Sequence, residues 1–81
     1  MGLRGEEFDK MHANNQTIII RAKGIPIIEL KLPEGNFLIL YSVFNFFVEA
    51  VVNKTEEEIR FIERLTLDEV VNTYCEDIPS L

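Results

Sequence analysis

Candidates for chemistry are few. The chain has one histidine, His12, and one cysteine, Cys75. A histidine suits general acid–base work near neutral pH, but it needs a positioned partner and a pocket. His12 is followed by Ala13, Asn14 and Asn15, which supply neither, and it reads as a surface side chain. Cys75 precedes Glu76 and Asp77, whose charges raise a thiol pKa and oppose nucleophilic use. It reads as an idle or buried thiol. One His and one Cys do not build a zinc site. The acidic pairs Glu6-Glu7, Asp68-Glu69 and Glu76-Asp77 are neighbours in sequence, and neighbours on a helix do not face each other. There is no EF-hand loop, P-loop or dinucleotide fingerprint. A chain of 81 residues leaves little room for a glycosidase cleft between two carboxylates. The expectation is a protein that is not an enzyme, with no catalytic residue, no cofactor and no metal.

The aromatic set Phe37, Tyr41, Phe44, Phe46 and Phe47 has the apolar surface for a ligand pocket. Aromatics on a central element more simply fill a core, and that is how they are read.

Charge narrows the partners. The chain holds 14 acids and 8 bases, net −6. Residues 54–81 carry eight acids against three bases, so the acidity is concentrated in the last third. Nucleic acid is bound by Lys and Arg clusters, and none is present, so direct nucleic-acid binding is not expected. The acidic third is either a solubilising surface or a contact face for a basic protein. A single cysteine forms no internal disulfide. The N-terminal MGLRGEEFDK lacks the apolar run of a signal peptide. Together these place the protein in the cytoplasm.

The elements that would position any site are organised around residues 37–53, FLILYSVFNFFVEAVVN. At about 100° per residue, Ser42, Asn45, Glu49 and Asn53 fall on one stripe, whereas one continuous strand would place polar residues on both faces. The spacing predicts a helix over 38–53 with Asn36 as N-cap. The competing reading makes 37–41 a third strand after a Pro33-Glu34-Gly35-Asn36 turn. With 17 residues, Glu49 among them, the segment is too short and too polar to span a membrane. Upstream, residues 5–13 suggest a short helix. Residues 17–23 and 25–32 read as a hairpin, with a three-residue loop Lys23-Gly24-Ile25 that aligns their apolar faces. Downstream, Thr55 with Glu58 and Thr66 with Glu69 are capping boxes, each opening a short amphipathic helix, to about Leu65 and about Cys75.

The fold expected is therefore a single small α+β domain over 1–81: a β-hairpin packed on a long apolar central helix, followed by two short amphipathic helices. Such a helix carries more apolar surface than a small domain covers. With 47% hydrophobic residues, self-association follows. The function expected is a non-catalytic protein–protein interaction module: a small acidic regulator or inhibitor that binds a larger protein and itself. The helix flank Ile39, Val43 and Phe46 would form the seam, and Glu56, Glu57 and Glu58 an alternative contact face. A structural subunit of a larger homo-oligomeric assembly is the alternative. A small-ligand-binding or enzyme accessory subunit stands behind both.

Overall fold

The computed structural model describes residues 3–74. Two helices, α1 (Gly5–Asp9) and α2 (Ala13–Lys23), lead into four strands, β1 (Gly24–Lys31), β2 (Asn36–Val43), β3 (Phe46–Asn53) and β4 (Glu58–Leu65), and the chain then enters α3 (Leu67–Tyr74). The strands form one antiparallel meander in sequence order.

No long central helix exists. Residues 36–53 are two paired strands joined by a two-residue turn, Phe44-Asn45, with Phe44 in the left-handed region at φ 52°. The physical reason is the position of Asn45. Once it occupies a turn, the strands alternate cleanly. Ile39, Tyr41 and Val43 pair with Ala50, Val48 and Phe46 on one face, while Ser42 and Glu49 share the other. Both faces receive apolar side chains, so the alternation that marks a half-exposed strand is absent from the letters. The β-branched and aromatic content favours the pleated form. Asn36 is the first residue of β2, not a helix cap.

The hairpin over 17–32 is also corrected. Residues 17–23 belong to α2, and only the second run is a strand. Three consecutive isoleucines favour a strand locally, but propensity is a weak prior. As a helix, the segment turns Ile20 and Ile19 onto the sheet and leaves Ile18 to solvent. The helix starts at His12, whose Nδ1 accepts the Asn14 amide at 3.1 Å. It passes directly into β1 at Gly24, where a Cβ would stand 2.4 Å from the Ile20 carbonyl oxygen. In β1 a register shift between Pro26 and Ile28 leaves Ile27 as an extra residue, a bulge of the kind that blunts an edge strand.

The box predicted at Thr55 and Glu58 does not form. Residues 58–65 are β4, paired to β3 with a bulge at Arg60. The second box does form. The Glu69 amide donates to Thr66 Oγ1 at 3.2 Å, and the Thr66 amide to Glu69 Oε1 at 2.9 Å. The Thr66 amide, and then the Thr66 hydroxyl, hold the Glu69 carboxyl below its ordinary pKa. Cys75 and the acids at 76 and 77 lie outside the described residues.

The sheet's first face carries the main core. Phe8 and Ile20 pack on Val43, Phe46 and Val48. The Phe8 and Phe46 rings lie 5.3 Å apart, tilted by 51°, a favourable aromatic geometry. Gln16 Nε2 donates to the Phe8 carbonyl at 2.8 Å, and Arg64 forks onto the Asp9 carboxylate from β4. The second face carries a smaller cluster in which Val70 and Tyr74 of α3 meet Leu40, Leu65, Ile28 and Phe47.

Asn53 ties the two turns at one end of the sheet. It is buried; its Nδ2 donates to Asn36 Oδ1 at 2.9 Å and to the Glu34 carbonyl at 3.3 Å, and its Oδ1 accepts the Glu56 amide at 2.9 Å. Glu34 and Gly35 in the first turn have positive φ, 64° and 79°. A Cβ on Gly35 would come within 2.9 Å of Thr55 Oγ1.

Two substitutions test this frame by denaturant unfolding. Asn53→Ala leaves buried groups unpaired and is expected to cost about 1–3 kcal/mol. Phe8→Ala removes the ring that seats the helical layer and is expected to cost about 3–5 kcal/mol. A loss well under 1 kcal/mol in either variant would contradict the corresponding contact.

Candidate protein-interaction face

The described residues cover the two faces of the sheet unequally. On the second face, α3 lies over one half. The other half presents Leu30, Leu38, Val51 and Phe61, which are successive partners across all four strands. One residue from each strand makes a continuous apolar row. Leu30 is 46% exposed and Phe61 48%; Leu38 and Val51 are partly buried between them. A row across four strands spans three interstrand spacings, about 14 Å.

Polar side chains border this row on one side and along half of the other, whose remaining half continues the apolar surface with Ile28 and Leu40 on β1 and β2. Toward α3 the next cross-strand pair is Glu49 and Glu63. Beyond the other margin stand Asn36, Asn53 and Glu58. Glu49 accepts a short hydrogen bond from the Tyr74 hydroxyl, which fastens the last residue of α3 to the sheet. Burial, then the bond to Glu49 and its charge, push the Tyr74 pKa well above its ordinary value.

The predicted contact residues land apart. Ile39, Val43 and Phe46 are on the first face, buried in the chain's own core. Val43 and Phe46 are cross-strand partners, and Ile39 pairs with Ala50; all three lie on strands and not on a helix flank. Glu56 and Glu57 are exposed in the turn before β4, and Glu58 begins β4. Arg60 pairs with Glu56 and lies 3.6 Å from Glu58. The exposed apolar row was missed because it draws one residue from each strand. No local spacing reveals it; it appears only once the register is known.

The aromatic set is dispersed as well. Phe46 and Tyr41 are on the first face with Phe37, Phe47 is on the second, and Phe44 is exposed at the turn. A shallow cleft of about 380 Å³ opens on the first face, lined by Arg21, Tyr41, Val52, Lys54, Glu57 and Ile59. Its cations are already engaged. Arg21 Nη2 donates to the Glu57 carbonyl at 2.8 Å; Lys54 pairs with Glu29 and sits 4.2 Å from the centre of the Phe37 ring. Burial, and then the charge of Glu29, raise the Tyr41 pKa, with Lys54 and Arg21 pulling it down in part.

His12 caps α2 from an exposed position, a structural task. Among the described residues no group of three or more His, Cys, Asp or Glu side chains could hold a metal ion. Also among them, no helix is long and apolar enough to cross a membrane. Comparison with family models, with curated proteins and with solved structures finds no match.

The Tyr74–Glu49 bond generates a pH prediction. A tyrosine whose pKa is raised by folding stabilises the fold fully below the unfolded value of 10.0. That contribution is lost as pH climbs from there through the folded value. Circular dichroism and tyrosine absorbance should show α3 loosening in that alkaline window. Tyr74→Phe should remove that part of the transition and cost about 1 kcal/mol at neutral pH. An alkaline profile unchanged by the substitution would contradict the latch.

Proposed function

We propose that this domain acts by contact, as a non-catalytic protein-binding module that docks a larger protein on the open half of its second sheet face. One observation carries the reading: the row Leu30, Leu38, Val51 and Phe61, apolar across all four strands and unprotected by α3. A sheet face is normally covered by another layer. Contiguous exposed apolar surface with a polar rim is what partner sites use. The aromatic Phe61 and the aliphatic Leu30 would be the anchors, since energetic contacts concentrate in a few such residues. A small acidic regulator or inhibitor of a larger cytoplasmic protein fits this picture.

The test is the pair Phe61→Glu and Leu30→Glu, made in the full chain and used as bait against host extract. Both side chains are about half exposed, so folding should survive, as circular dichroism will show. A protein retained by the native chain should bind each variant at least about thirtyfold more weakly, the effect of losing a hot spot. Retention at the native level by both folded variants would sink the proposal.

A further inference from the structure

We infer that the segment seated on the open half-face is a basic amphipathic helix of the partner; this rests on the docking reading above. Charge is sorted between the two sides of the sheet. Arg4, Lys10, Arg21 and Lys23 lie on or beside α1 and α2, which cover the first face. Lys54 and Arg64 reach the same side, toward Phe37 and Asp9, and Lys31 is the register partner of Phe37. Arg60 alone stands near the second face, and Glu56 and Glu58 already engage it.

Away from Arg60, the second face offers the carboxylates of Glu49 and Glu63 without a paired cation. Glu49 and Glu63 are direct cross-strand partners. In that position like charges destabilise a sheet, and among the described residues neither has a Lys or Arg within ion-pair distance. Glu63 borders the open row on one side, and Glu58 lies beyond the other. An incoming segment with an apolar stripe and flanking Lys or Arg would bury the row and set its cations beside Glu63 in one step. A row of about 14 Å matches about nine residues of helix, enough for anchors at i, i+3, i+4 and i+7. The face already accepts a helix, since α3 seats Val70 and Tyr74 on its other half.

A second copy of this chain fits less well. An isologous contact sets the same patch on both sides, so each copy would offer the other a rim that carries Glu58 and Glu63.

The experiment uses the full chain and two labelled synthetic 18-residue peptides. Both carry leucine at the helical spacing i, i+3, i+4, i+7; one has lysine at the remaining positions and the other glutamate. Fluorescence anisotropy should show binding of the lysine peptide alone, weakening as salt is raised. Glu63→Lys should weaken it about fivefold to tenfold. Glu6→Lys changes the net charge equally, but on α1 behind the sheet, and should change affinity less than twofold. The inference is overturned if the lysine peptide does not bind, if both peptides bind alike, or if Glu6→Lys weakens binding as much as Glu63→Lys. Failure of the docking reading is a separate result, namely native retention of a host protein by both folded Phe61→Glu and Leu30→Glu. If those variants lose the host protein while the peptides fail, only the partner's chemistry is wrong.

Discussion

Phe8 is where the fold closes. Its side chain is fully buried, and its ring meets Phe46 from a five-residue helix too short to be stable alone. That helix is helical because the sheet needs a cover and because three ties converge on it: the Phe46 ring, Gln16 from α2 and Arg64 from β4. Without this layer, Val43, Phe46 and Val48 would face water across the middle of the sheet. The helical identity of residues 17–23, with their isoleucine run, depends on the same need. Ile20 finds a buried site only if the segment lies over the sheet as a helix.

The second face depends on a smaller device. α3 is held by Val70, by Tyr74 and by its Thr66–Glu69 cap. Its eight residues reach across only part of the sheet. Among the described residues, two helices thus cover one face and a single helix half of the other. What is left is a strip of apolar side chains between carboxylates, and that inequality links the fold to its proposed use. The same sorting sends most of the cations to the first side, where Arg64 pairs with Asp9, Lys54 pairs with Glu29 and Arg21 donates to the Glu57 carbonyl.

Some of this was legible in the letters, and the division has a physical basis. The Thr66 and Glu69 box was readable because both hydrogen bonds lie within four residues. The identical pattern at Thr55 and Glu58 misled because pairing of residues 58–65 with β3 outweighs a cap. The turn at Pro33, Glu34 and Gly35 was visible from its residue types. The central run was legible only in the competing reading of 37–41 as a strand; the helix reading failed because Ser42, Asn45, Glu49 and Asn53 are spaced three and four apart for unrelated reasons. Asn45 makes a turn, Glu49 receives Tyr74, and Asn53 braces two loops. Their helical spacing is a coincidence that only the register exposes. The contact residues expected at Ile39, Val43 and Phe46 were apolar enough for an interface, but they serve the interior. Glu56 and Glu57, expected in the first turn of a helix, are exposed in the turn before β4 instead.

The central claim is that one half of the second face is open and the other half covered. Solvent paramagnetic relaxation of the labelled full chain in dilute solution measures this directly. With a soluble neutral gadolinium chelate, the Leu30 methyls and Phe61 ring protons should relax strongly, while the Leu40 and Leu65 methyls beneath α3 stay protected. Equal protection of both sets would mean that the half-face is already covered in the free protein, and would contradict the account. Equal relaxation of both would show that α3 does not lie where it is placed here.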